Sequence, residues 1–399
     1  MTNAEELIRR VERVSARNYA PLPVVIQRAE GVWAWDTEGR KYLDCLSAYS
    51  SLSLGHRHPR VIAALVAQAE KLTLTSRAFH NDQMGPFLEA LCDLSEMEMA
   101  LPMNTGAEAV ETAIKLVRKW GYRTKGVAND QAEIIACRNN FHGRTTTLVG
   151  FSSEAMYRQD FGPYSAGFQL IDFGDAGQLA EAITPNTVAF LVEPIQAEAG
   201  ILVPPAGYLS AARRVCSDNN VLFVLDEIQT GLGRTGKMFA YQHEEDAKPD
   251  VLILGKALGG GVYPVSAALS SSEIMGLIQP GEHGSTFGGN PLAAAIGLSV
   301  LDVLADERLA ERAAELGAYL VDRLRGLRSE AISDIRGRGL LIGIEIRPDA
   351  GTARDYAARL LELGVLTKDT HEQVLRLAPP LVIEPSELDW LVERLRSVF

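Results

Sequence analysis

Two residues of a kind that burial penalises stand at the ends of apolar runs: Asp226 closes VLFVL and Lys256 follows VLILG. In an open parallel sheet the carboxyl ends of the strands are where ligands bind, and both residues would reach that edge. A buried amine is driven toward its neutral form, which attacks aldehydes. Alone, a lysine in such a loop usually snorkels to water and an aspartate usually caps a helix. A carboxylate at one strand end and an amine at another, between glycine-rich turns, suit a cofactor with a cationic ring nitrogen and an aldehyde.

Pyridoxal 5′-phosphate (PLP) is such a cofactor, and it also needs a phosphate cradle and a surface against its ring. MNTGAEAVETAIKLVRKWGY (103–122) opens a helix at Gly106 and Ala107, whose N–H groups sit where the helix dipole favours phosphate. HGSTFGGNP (283–291) adds the hydroxyls of Ser285 and Thr286, and NFHGRT (140–145) supplies Phe141 to stack and Arg144 to bind a carboxylate. Each string alone reads as a cap, a turn or core packing. Their occurrence together does not.

Other motifs fail on their surroundings. GLGRTG (231–236) matches a dinucleotide turn literally, and a nucleotide-dependent oxidoreductase on Gly231–Gly236 is the alternative it would carry. Its glycines begin several residues past the strand, no long helix follows, and Asp226 and Glu227 would repel a pyrophosphate. Gly255–Lys256 is followed by alanine, which breaks the Walker pattern. His56 and His58 lack the i, i+4 spacing of a zinc site, and Cys45, Cys92, Cys137 and Cys216 are far apart, so no metal site or disulfide framework is signalled.

The elements that must position these residues follow from periodicity. Helices are predicted at 59–72 and 106–121. The runs 133–138, 187–195, 221–228 and 251–258 are continuous and β-branched, as in a mainly parallel sheet covered on both faces, which is an α/β architecture. The stretch 251–271 carries one charge and reads as buried core around that cation. A broken helix through about Leu327, an extended run at 333–346, a helix near 353–363, a strand near 374–377 and a helix at 386–397 follow. The predicted organisation is an N-terminal segment at 1–58, a large domain at 59–290, connecting helices at 291–330 and a small α+β domain at 331–399, with VWAWD (32–36) and KYLD (41–44) joining the small domain so that both chain ends build it.

The chain has 399 residues, 47% of them hydrophobic and 23% charged, ample for a sizeable core. Its formal charge of −12 has the wrong sign for nucleic acid or an anionic membrane. An anionic substrate must therefore meet locally placed arginines. The N-terminus lacks an apolar targeting region, so the expected compartment is the cytoplasm.

NYAPLP (18–23), SAYSSLSLGH (47–56), EPIQAEAG (193–200), DEIQTGLGRTG (226–236), GKALGGG (255–261) and RLAPPLVI (376–383), with the three strings above, resemble the blocks of the class III aminotransferases in their usual order. These are PLP enzymes of fold type I, and the likeness covers nearly the whole chain, nearest to the members that act on ornithine. The resemblance implies that Lys256 holds the cofactor covalently and shuttles a proton, and that Asp226 pairs with the ring nitrogen. It implies that Gln229 bonds the ring hydroxyl and Phe141 stacks on the ring. Gly106, Ala107 and Thr286 of the partner subunit would hold the phosphate, making a homodimer with shared active sites the minimum unit.

For substrates, the resemblance implies ornithine, reacting at its δ-amine, and 2-oxoglutarate, giving glutamate 5-semialdehyde and glutamate. Tyr19 and Arg144 would take the ornithine carboxylate, and Arg376 the carboxylate beside the keto group. Glu198 would mask Arg376 while ornithine is bound, since an unpaired buried guanidinium is costly. Tyr49 resembles the position that separates ornithine enzymes from 4-aminobutyrate enzymes. The alternatives within the family are N-acetylornithine and 4-aminobutyrate as amino donors.

Overall fold

The computed structural model describes residues Thr2–Phe399. Its large sheet has seven strands, in the order Met99–Met103, Ser266–Ser270, Val251–Leu254, Leu222–Asp226, Thr187–Val192, Glu133–Cys137 and Phe168–Ile171. The last five are mutually parallel, and Ser266–Ser270 runs antiparallel to both neighbours.

Alternation along the strands sends side chains to two cores. Leu222, Val224 and Ile253 pack with Ala109, Val110 and Ala113 of the helix Gly106–Trp120. Phe223, Leu225 and Leu252 pack on the opposite face with Leu209, Ala212 and Cys216 of the helix Tyr208–Asp218. Cover on both faces explains why these runs are continuously apolar.

The chain ends meet in a second sheet. Ile26–Glu30, Trp33–Asp36 and Lys41–Asp44 form an antiparallel meander, and Val365–Leu366 adds to it in parallel. Trp33 Nε1 donates to Glu387 Oε1 of the terminal helix Pro385–Val398 at 2.7 Å, and its ring meets Trp390 edge-on. A third, antiparallel sheet comprises Ile332–Arg338, Leu341–Ile346, Val374–Leu377 and Lys368–Thr370.

Several expectations are refined. The run 187–195 stops as a strand at Val192, before Pro194. The stretch 251–271 resolves into a strand, a 3-10 turn Lys256–Gly259 and the antiparallel strand Ser266–Ser270. The broken helix after Pro291 is two helices, Pro291–Asp306 and Leu309–Arg325, and 333–346 is a hairpin. Pro102 lies in Met99–Met103, which is an edge strand and so can spare one donor.

Candidate active site

Asp226 ends one strand and Lys256 lies two residues past the end of its parallel neighbour, and both line one cavity of about 200 Å³ with Gly106, Ala107, Phe141 and Gln229. Lys256 opens its 3-10 turn at φ 40°, in left-handed space, with the Leu258 N–H bonding Gly255 O behind it. Burial pushes its amine below the ordinary lysine value, against the opposing pull of Glu198 and Asp226. That favours the nucleophilic, neutral form.

Asp226 is buried, and its two oxygens are used separately. Oδ1 accepts the Ile228 N–H at 3.1 Å, and Oδ2 lies 2.7 Å from His142 Nδ1. Across the cavity the helix Gly106–Trp120 begins at a capping box: Glu108 N–H donates to Thr105 Oγ1, and Thr105 N–H donates to Glu108 Oε2. A Cβ on Gly106 would lie 3.0 Å from Ile228, and one on Gly143, at φ 131°, would lie 2.7 Å from Leu148. Both glycines let backbone close on the cavity.

Gln229 joins this cavity to a polar gate. Its Nε2 donates to Glu198 Oε1 at 3.1 Å, and its Oε1 accepts from Arg376 at 3.1 Å. Arg376 donates to Glu198 Oε1 at 2.8 Å, to Thr370 Oγ1 at 3.1 Å and to Ala197 O at 3.2 Å. Arg376 as a whole is 1% exposed. Burial alone would raise the Glu198 carboxyl, but the adjacent guanidinium holds it down to about 2.

Tyr49 stands beside that gate, with Arg376 over its ring at 5.4 Å and Lys368 Nζ 3.3 Å from its hydroxyl. It sits in a turn, Ser47–Ser50, in which all four residues have positive φ. Asp44 Oδ1 anchors the turn by accepting the N–H groups of Leu46 and Ser47 at 2.9 and 2.8 Å. Tyr19 and Tyr49 line a second cavity of about 550 Å³. A third joins them to the lysine, since Ala48, Leu52, Gly106 and Lys256 all line it.

The remaining expected residues lie at the rim. Phe141 meets Tyr157 edge-on, and the exposed Arg144 stacks on Tyr157 at 3.6 Å. Tyr19 is 73% exposed. Ser285 Oγ accepts from Asn104 Nδ2 at 2.7 Å and from Gly288 N at 3.2 Å, beside the helix start rather than in the cavity wall. Thr286 is exposed, and its hydroxyl bonds no other described residue. His56 and His58 pair with Asp44 and Glu307. Arg234, within GLGRTG, is fully buried and donates to Leu340 O, Pro379 O and Ser53 Oγ, so that motif ties chain segments together.

Two titratable residues of the cavity wall were not singled out by the sequence reasoning: His142 and Glu193. Glu193 accepts the Phe141 N–H at 2.9 Å, and burial pushes its carboxyl up to about 8. The signal for His142 lay in NFHGRT, between the two residues chosen from it.

The donor set fits PLP: a buried, deprotonation-prone amine, a buried carboxylate on the neighbouring strand, and a capped helix N-terminus sharing one cavity. This is the site of a fold type I transferase. The family model for class III aminotransferases matches residues 14–399. A Brevibacillus brevis protein named ornithine aminotransferase is 56% identical over 398 residues, covering 100% of this chain and 99% of its own. Among solved structures, an ornithine aminotransferase from Toxoplasma gondii, described with partial PLP occupancy at its active site, superposes with a TM-score of 0.98 at 47% identity, covering 100% of this chain and 94% of that one. An acetylornithine aminotransferase from Elizabethkingia anophelis superposes at 0.90 with 46% identity, covering 100% and 99%. The chain belongs to the class III aminotransferases.

Proposed function

We propose that this enzyme transfers the δ-amino group of ornithine to 2-oxoglutarate, giving glutamate 5-semialdehyde, which cyclises to pyrroline-5-carboxylate, and glutamate. The observation that carries this reading is the Glu198–Arg376 pair at 2.8 Å, bonded through Gln229 to the cavity that Lys256 and Asp226 share. The name borne by the full-length relatives supports it.

Bound PLP supplies an aldehyde to capture the amino group and a ring that takes up electrons from the bond being broken. Lys256 Nζ would hold the cofactor and, once displaced by the substrate amine, would take up the proton from the substrate carbon that bore the amino group. Asp226 matches the ring-nitrogen charge, Phe141 covers the ring, and the Gly106 and Ala107 N–H groups receive the phosphate with Ser285 beside them. With ornithine present, Glu198 keeps Arg376 occupied, so the α-amino acid end turns to Tyr19 and Arg144 and the δ-amine reaches Lys256. When 2-oxoglutarate enters, Glu198 releases Arg376, which clamps the carboxylate beside the keto group. Tyr49, wedged against Arg376, shapes the space between these ends.

Thr286 of the partner subunit completes the phosphate site in a homodimer, consistent with its unengaged, exposed hydroxyl in one chain. No helix of the described residues is long and apolar enough to cross a membrane, and we place the enzyme in the cytoplasm. The test is an amino-donor panel with 2-oxoglutarate as acceptor, trapping pyrroline-5-carboxylate with ortho-aminobenzaldehyde. Colour with ornithine is expected. Turnover of N-acetylornithine or 4-aminobutyrate without it would reassign the substrate.

A further inference from the structure

The loop 140–143 is fastened at two points that the proposed chemistry does not use. Glu193, one residue past the strand Thr187–Val192, takes the Phe141 N–H. His142 Nδ1, 2.7 Å from Asp226 Oδ2, secures the other side, while Ile228 N–H holds Oδ1. The Asp226 carboxylate therefore cannot rotate without breaking one of two hydrogen bonds.

We infer that His142 is a positioning residue for the acid that faces the cofactor's ring nitrogen: its Nδ1–H holds the Asp226 carboxylate in one plane, and so governs how tightly the cofactor is held. This rests on the role proposed for Asp226 above. A packing role does not account for the geometry. The imidazole is completely buried, yet Nε2 has no partner, so the side chain bears an unsatisfied polar atom in order to present Nδ1. His142, Glu193, Asp226 and Lys256 all line the same cavity.

The titratable groups facing His142 are Asp226 and Glu193. Burial opposes the imidazole's charge, but the Asp226 carboxylate outweighs it and raises the group. Glu193, pushed up to about 8, faces it as a neutral acid at pH 7, and the partner of Nδ1 is Asp226 Oδ2. Without the imidazole donor, Oδ2 loses its partner and the carboxylate, held only at Oδ1, is free to turn out of the plane in which it would meet a ring nitrogen.

The experiment compares His142→Asn, whose amide N–H occupies the Nδ1 position, with His142→Leu and His142→Gln, which offer no donor there. Each purified holoenzyme is dialysed to follow PLP release, and its visible absorbance is titrated against pH. The leucine and glutamine variants should bind PLP about 10- to 100-fold more weakly and show a displaced absorbance titration, the loss expected for a hydrogen bond to a charged group. Asparagine should restore both to within about threefold. Should leucine fail to fold, glutamine carries the comparison. Wild-type retention and titration in the glutamine variant, or equal impairment of asparagine and glutamine, overturns the inference. Wild-type enzyme with no visible band removable by borohydride would instead sink the proposed function, and this inference with it.

Discussion

Replacing Glu198 with alanine removes the partner that Arg376 holds at 2.8 Å, and the consequence can be worked from the site. Holding a carboxyl from 4.5 down to about 2 corresponds to about 3 kcal/mol in favour of its ionised, paired form. Glutamate, as amino donor, must break that pair to reach Arg376, whereas ornithine leaves it intact. Three kcal/mol is about a hundredfold, and Gln229, which also bonds Arg376, absorbs part of it. The ratio of kcat/KM for glutamate to that for ornithine should therefore rise roughly 10- to 100-fold in Glu198→Ala. Stopped-flow half-reactions with each donor, followed by the loss of visible absorbance, measure the ratio directly. Since the carboxyl value is depressed, the pair's stabilisation is present above 4.5 and lost only as pH falls through about 2, so the wild-type ratio should be insensitive to this group from pH 8 to 5. A ratio within about twofold of wild type in the variant would refute the gating argument.

Three further outcomes test other parts of the molecule. Glu193 is raised by burial, so the folded state retains a proton that the unfolded chain releases above 4.5, and stability is lost as pH rises toward about 8; Glu193→Gln should raise the apoenzyme melting temperature at pH 8.5 and leave it unchanged near pH 4.5. Arg234→Met strands Leu340 O and Pro379 O, takes one of two partners from the Ser53 hydroxyl, and should destabilise by roughly 3 kcal/mol or more in denaturant titration. If sites are shared across a dimer, mixing Lys256→Ala with Thr286→Ala subunits should restore one intact site per heterodimer, and activity should recover on mixing two impaired parents.

Asp226 and Lys256 are legible in the sequence because parallel strands buried on both faces must be continuously apolar, which makes a charge at their ends conspicuous. The helix at 106 is legible from its helical periodicity after a small-residue opening at Gly106; its capping box of Thr105 and Glu108 emerges only from the structure. Met99–Met103 and Phe168–Ile171 are not, since they are short edge strands, one containing Pro102, and an edge demands less of its sequence. Ser266–Ser270 is hidden because its small residues, SAALS, carry no alternation. His142 and Glu193 escape notice for another reason: their roles arise from neighbours 84 and 52 residues away along the chain. The Glu198–Arg376 pair spans 178 residues, and only the family resemblance, not any spacing rule, anticipates it.

The turn that carries Tyr49 winds with the hand opposite to ordinary helices, and none of its four residues is glycine. Each L-residue held that way costs about 1–2 kcal/mol. The sum is met from elsewhere, through Asp44 below it and the Ser53 hydroxyl that bonds both Ser50 O and Arg234. Thermal robustness and substrate discrimination thus draw on the same reserve. Ala48→Gly would relax the reversed winding and harden the fold while letting the Tyr49 ring swing, so a sturdier enzyme would choose its amino donors less strictly.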